Sequence, residues 1–424
     1  MTRIFVLSDD GVATGFGRIS MNVNTRLVKR GYQVMAASLA FDGLLPPVYD
    51  GDPLPYWVAS LAGRNWVEES VKVINAYNPD IVMVVQDAPY AQAIRNSPLD
   101  WSRIGFVVVT PVDGVPIFPD WVDTVKRADA ALTISQFGVE AFRRAGAHVT
   151  LCRPGIDPNR FYRMRDDERK ALRTKMGLDA DSYVVGTASM NQGRKCISLM
   201  LEAFMDFAAD KPHARYLMDM EETSPAGWDI NALCKQFGYD RSKLIFRADC
   251  MRAGVTDMRE RYNLMDMHMV VSHREGYGIP LVEAQACGVL SMALDYCSGN
   301  EICGLDEVTN FPRGVLIRPI DFTEAGTWGG ALDRFPDKKH FLNRLQWVYD
   351  NPHERAAIAE RGMEWSRRHT WDESADAVDL ALQKVIKKRA SIPPATVPLM
   401  ALQAPTAAPV SVDGTKVVEL QEVV

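Results

Sequence analysis

Glu275 and Glu283 stand eight positions apart in the segment SHREGYGIPLVEAQACG, residues 272–288. Gly276, Tyr277 and Gly278 follow the first acid, and Pro280 lies between the two. Pro280 suits the first turn of a helix and Gly288 the position just past its end. Glu283 then lies about one turn inside that helix, and Glu275 on the loop before it. Gly276 and Gly278 let a ligand approach the main chain, and the free N–H groups of a helix start favour an anion. A carboxylate accepts hydrogen bonds from paired hydroxyls. The segment can therefore present an anion site and two diol-binding acids, the groups needed to cradle a sugar on a nucleoside diphosphate. Taken singly, Glu283 is as well explained by the helix dipole and Glu275 by a solvated loop charge; the combination favours the ligand.

NQGRK, residues 191–195, places Arg194 and Lys195 at the start of another expected helix, where the dipole is positive. Two cations there are unfavourable unless a diphosphate faces them, Arg as a forked donor and Lys as a point charge. The plainer alternative is a pair of exposed bases whose heads point into water. In GVATGFGRIS, Gly15 and Gly17 form a G-x-G, but Ser20 occupies the third glycine position of a dinucleotide fingerprint. They are read as cleft-lining backbone. In TPVDG, Asp113 follows an apolar strand, where a catalytic or hydroxyl-binding acid fits as well as a turn-forming Asp before Gly114. Asp179-x-Asp181 lies in a polar loop before a strand and is not read as a metal site. The seven histidines lack metal spacing, and only His273 lies beside a candidate ligand.

The elements that position these residues form a pattern. RIFVLSDD, YQVMAASLAF, PDIVMVVQ, RIGFVVVTPVDG and ADAALTIS read as parallel strands alternating with helical segments. After a connector near 153–160, SYVVGTAS, ARYLMDM, KLIFRAD, MHMVVS and VLSMALD begin a second such set. Ile197, Met200, Leu201 and Phe204 give a helix its apolar face. The expected class is α/β: two doubly wound domains facing a cleft, residues 1–155 and 156–370. A helix over 371–390 is free to cross back to the first domain, and a flexible Pro/Ala-rich tail follows over 391–424. A chain of 424 residues needs more than one core. Its formal charge of 48 − 54 = −6 supplies no global basic field. Seven cysteines without C-x-x-C fit reduced thiols in a cytoplasmic chain. The N-terminus shows no leader pattern, and no apolar run is long enough to span a membrane.

REGYGIPLVEAQACG, with NQGRK, RPGID and HTWDESAD in the same order, resembles the E-x7-E segment and accompanying landmarks of the retaining family 4 glycosyltransferases. The similarity covers most of residues 1–388 and is strongest over 184–304. The resemblance implies the GT-B fold and a nucleotide-sugar donor. By position, Arg194 and Lys195 would hold the donor diphosphate, Glu275 with the backbone of Gly276, Tyr277 and Gly278 the transferred sugar, and Glu283 the ribose. Gly15 and Gly17 would face the diphosphate. Many relatives carry a histidine where this chain has Thr110-Pro111-Val112-Asp113, so Asp113 is the candidate for part of that role. The family needs no cofactor or Asp-x-Asp metal, and none is expected here.

The expected reaction is sugar transfer to a hydroxyl with retention, the acceptor by default a glycan or lipid-linked sugar. A nucleotide-sugar epimerase or phosphorylase, or a non-catalytic sugar-nucleotide-binding module, remains as an alternative on the same architecture. So does glycosylation of a hydroxylated base in DNA. Residues 1–163 hold 16 Lys/Arg against 16 Asp/Glu, with no basic stripe, which lowers the nucleic-acid alternative.

Overall fold

The computed structural model describes residues 1–391 except 45, 64, 180, 248–254 and 326–330. All but the first residue of the expected tail lies outside the described residues.

Two parallel sheets carry the chain. The first has strands β1 (Arg3–Ser8), β2 (Gln33–Ser38), β3 (Trp57–Ser60), β4 (Ile81–Val85), β5 (Gly105–Thr110), β6 (Ala130–Thr133) and β7 (Thr150–Leu151), in the order β3-β2-β1-β4-β5-β6-β7. The second has β8 (Tyr183–Ala188), β9 (Ala214–Asp219), β10 (Leu244–Phe246), β11 (Met267–Val270), β12 (Leu290–Leu294) and β13 (Val315–Ile317), ordered β10-β9-β8-β11-β12-β13. Central strands such as β4 and β5 are buried along their whole length. That is why they read as unbroken Val/Ile runs rather than alternating patterns. Each sheet reverses its winding once, between β1 and β4 and between β8 and β11, and ligands of such sheets collect beyond the strand ends at that reversal.

Ile197, Met200, Leu201 and Phe204 are fully buried on the Ile197–Ala208 helix. The chain passes between sheets near Ile156, which bridges to Thr370. There the Trp371–Ala390 helix returns to the first domain. Ion pairs Arg26–Asp372 (2.7 Å), Arg30–Asp376 (2.6 Å) and Lys388–Asp129 (2.9 Å) hold it there, and Val378, Leu382 and Val385 bury their side chains in that core. The six described cysteines are free and buried. Among the described residues, no helix is long and apolar enough to cross a membrane.

Candidate active site

The segments that follow β1, β4, β5, β8 and β11 line one cleft of about 880 Å³ between the domains. Its C-terminal wall is built at the β8/β11 reversal. Past β8, Arg194 and Lys195 lie on a single 3-10 turn, Gly193–Lys195. The sequence places them at the start of the helix proper. The helix begins only at Ile197, because Cys196 takes a left-handed conformation (φ 52°). The His273 amide donates to the Arg194 carbonyl at 2.9 Å, tying this turn to the loop after β11.

On that loop the Glu275 carboxylate meets the Lys195 ammonium in a short charge-assisted bond. Arg194 Nη1 lies 3.8 Å from the same oxygen, and Ser272 Oγ donates to it at 3.1 Å. Burial opposes ionisation of Glu275, but Lys195 and Arg194 outweigh it and hold the carboxyl below its usual range. Burial and neighbouring Arg194 lower the Lys195 pKa, against the pull of Glu275. Arg194 donates from Nη1 to the Arg274 carbonyl at 3.1 Å and leaves 36 % of its side chain open. It is the cation on this wall best placed to reach a ligand.

Gly276 packs against the opposite domain so closely that a Cβ there would sit 2.9 Å from Pro111. Tyr277 is buried, and Gly278, at φ +97°, turns the chain into the Ile279–Ala286 helix, whose N-terminus faces the cleft. His273 lines the cleft too, its ring against Phe335 at 4.3 Å.

Glu283 lies deeper. Its side chain is 5 % exposed, with Oε1 accepting from Arg18 Nη1 at 2.6 Å and Oε2 from the Tyr262 hydroxyl at 2.8 Å. Arg18 comes from the other domain, so this acid joins the two walls. Burial opposes the Arg18 charge, but Glu283 more than compensates and raises its pKa. Ribose hydroxyls could reach Glu283 only by sharing or displacing these partners.

The N-terminal wall is built at the β1/β4 reversal. Gly15 and Gly17 do not form a turn before the helix but its first turn: Thr14 caps it, its hydroxyl accepting from the Gly17 amide at 2.9 Å. Gly15 faces open space, whereas a Cβ on Gly17 would meet the Val12 carbonyl oxygen at 2.0 Å. Asp113 is 40 % exposed and lies 3.8 Å from Arg274, while its carbonyl accepts from Cys297 Sγ at 2.9 Å.

Two acids escaped the sequence reading. Asp9 follows β1 and is held by Thr14 (2.8 Å) and Gln86 (2.9 Å). Asp87 follows β4 and makes no capping hydrogen bond with its side chain. Water reaches Asp87 from the cleft. Even so, desolvation, then Asp113 and Asp9, against an opposing pull from Arg194, push its carboxyl up to about 6. The signal for both was available: each is an acid at the end of an apolar strand, as Asp113 is.

Two facing doubly wound sheets with the site between them define the GT-B fold, and solved structures agree. Sucrose-phosphate synthase from Thermosynechococcus elongatus matches with a TM-score of 0.73 at 16% identity, over 92% of this chain and 100% of that one. HepE of Anabaena, solved in complex with UDP-glucose, matches with a TM-score of 0.67 at 16% identity and the same coverage. No family model matches. The chain's curated sequence relatives are glycosyltransferases: the D-inositol 3-phosphate glycosyltransferase of Stackebrandtia nassauensis is 28% identical over 264 residues, 60% of this chain and 53% of that protein. The corresponding protein of Geodermatophilus obscurus is 31% identical over 140 residues, 32% and 30% of the two chains. The chain thus spans about half the length of the first of these relatives.

Proposed function

We propose that this protein transfers a sugar from a nucleoside-diphosphate donor to a hydroxyl acceptor with retention of configuration. The observation that carries the reading is the Lys195–Glu275 pair flanked by Arg194, beside the N-terminus of the Ile279–Ala286 helix. The bond between the anomeric carbon and the β-phosphate oxygen breaks with its electron pair going to phosphate. Arg194, Lys195 and the helix start offset the charge that builds there; one such donor is worth about 2.7–4 kcal/mol. Glu275 holds Lys195 in place and faces the sugar. The acceptor oxygen then bonds to the anomeric carbon on the face the phosphate leaves, its proton passing to a phosphate oxygen.

In this reading the basic wall carries the diphosphate without a metal cofactor, and Glu283 takes the ribose once Arg18 yields. The relatives' names specify inositol 3-phosphate as their acceptor; for this chain a glycan or lipid-linked sugar is the proposed class. The test is calorimetry with UDP and other nucleoside diphosphates, followed by nucleotide-sugar turnover with NMR of the product anomer, with and without chelator. Micromolar diphosphate binding and a retained anomer are expected. Donor isomerisation without transfer, an inverted product, or activity lost to chelator and restored by magnesium would each refute the corresponding part.

A further inference from the structure

The charges lining the acceptor half of the cleft have one effective sign. From the N-terminal domain, Asp9, Asp87 and Asp113 face the cavity, with Arg18 the single cation among the described residues. Arg18 is spent on Glu283 at 2.6 Å and is mostly buried. No lysine of that domain lines the cavity among the described residues. Beside the acids are apolar and aromatic surfaces. Tyr90, one helical turn after Asp87, packs its ring against Trp66 at 5.3 Å, and Trp121 packs on exposed Phe118 at 5.9 Å. Both Tyr90 and Trp121 line the cavity and are partly exposed.

We infer that the acceptor is an unphosphorylated polyhydroxylated ring, its hydroxyls donating to Asp87 and Asp113 and its apolar face lying on the aromatic side chains. The inference rests on the transferase reading above and specifies its substrate class. An ionised carboxylate only accepts hydrogen bonds, so it pairs with hydroxyls or ammonium groups and repels phosphate oxygens. Asp87 has no ion-pair partner among the described residues, and its side chain leaves the helix start uncapped, so its acceptor capacity is available to a ligand. In an enclosed cavity a like charge opposite such an acid is selected against, and a site built to bond a hydroxyl rejects a group that cannot supply one. The phosphorylated acceptor named for the curated relatives would place its phosphate against this wall. Among the described residues three cations of the other domain face it: Arg274, 3.8 Å from Asp113, is mostly buried and held by Asp333 at 2.5 Å, and Arg194 and Lys195 are those the donor diphosphate needs.

The test uses the full chain, the nucleotide sugar that calorimetry selects, and acceptors offered in matched pairs: glucose, glucosamine and myo-inositol, each beside its monophosphate. The unphosphorylated member of a pair should be used at least tenfold better by kcat/KM. In D87N and D113N the acceptor KM should rise about tenfold or more while nucleoside diphosphate affinity is kept, and discrimination against the phosphorylated member should shrink. Preference for the monophosphates, or unchanged selectivity in both folded variants, overturns the inference. So does transfer only to a hydroxymethylated oligonucleotide offered beside these six probes, or to none of them, by a protein that binds donor. Failure to bind any nucleoside diphosphate defeats the transferase reading instead, so the two failures are distinguishable.

Discussion

The two halves of this molecule repeat one architecture but present opposite chemistry at the same topological position. Beyond its reversal, the second sheet offers Arg194, Lys195 and a helix N-terminus, with Glu275 neutralising part of that charge. The first sheet, beyond its own reversal, offers Asp9, Asp87 and Asp113. A reaction that separates a departing phosphate from an oxocarbenium-like sugar gains from this polarity: the basic wall favours the developing anion and the acidic wall the developing cation. The fold places the crevices, and residues one to seven positions past each strand decide which charge each presents. The comparison predicts that variants on the two walls fail in different ways.

The largest effect belongs to the basic wall. Lys195→Ala and Arg194→Ala should each lower kcat about 10²–10³-fold, because in the proposed reaction each removes charge stabilisation that grows in the transition state. Lys195→Ala should also leave Glu275 buried without its closest cation, raising its pKa. Single-turnover kinetics on folded variants measures this. A loss below tenfold in both would show that the walls are not polarised for leaving-group departure.

Next come the two acids of the E-x7-E segment. In the proposed reaction Glu275 faces the sugar, so Glu275→Gln should spare nucleoside diphosphate binding while lowering transfer sharply. Glu283→Gln should weaken binding of the diphosphate and the donor alike. It should also lower Tm by several degrees, because Arg18 loses its buried counter-charge; stranding one partner of a buried pair costs about 3–5 kcal/mol. Calorimetry and thermal unfolding on both proteins separate these outcomes. Unchanged diphosphate affinity in Glu283→Gln with a reduced Tm would leave Glu283 as a strut between the domains rather than a ribose ligand.

The sequence made the basic wall more legible than the acidic one, for a physical reason. NQGRK and REGYGIPLVE are local: their glycines, proline and charges lie within a few residues of one another, and the chain itself delivers them to β8 and β11. Most sheet strands were legible as well, since fully buried parallel strands leave unbroken apolar runs. β3, β7 and β13 were missed because short edge strands need only a few ladder bonds and no long apolar run; exposed Trp57 on β3 even reads as surface. The Pro319–Ala325/Leu332–Pro336 hairpin was missed because its largely exposed first strand has no buried run to signal it. The Arg18–Glu283 contact joins residues 265 positions apart and carries no local signature. Asp87 was overlooked although QD closes β4 much as TPVD closes β5; its meaning appears only when strand order sets it beside β1.

Smaller effects follow from the glycine pair that shapes the N-terminal wall. Gly17→Ala should destabilise clearly, since its Cβ would overlap the Val12 carbonyl oxygen and come within 2.7 Å of the Asp9 carbonyl. Gly15→Ala meets nothing within 4 Å and should fold normally. Any activity it loses then reports a ligand lying against that position. A Tm for Gly15→Ala as low as that of Gly17→Ala would mean that Gly15 serves the helix rather than the cleft.

The smallest effect is also the sharpest test of the acidic wall, because function and stability should move in opposite directions. Asp87 ionises near 6 in the folded chain against an ordinary 3.8, so the folded protein holds that proton more tightly than the unfolded chain does. The sign follows: the stability contributed by protonated Asp87 is present below about pH 4 and is lost as pH rises through 6. Asp113 and Asp9 face this carboxyl and strengthen the effect, Arg194 across the cleft opposes it, and Tyr90 alongside stays neutral throughout. Asp87→Asn mimics the protonated form, so it should raise Tm by a few degrees at pH 7 and change it little at pH 4, while acceptor use at pH 7 falls. Water in the cleft keeps the gain small. A lower Tm at pH 7 would mean that the Asp87 charge helps hold the Ala88–Arg95 helix start, as acids commonly do. The acidic wall would then be a by-product of helix capping, and its contrast with the basic wall would carry no message about the acceptor.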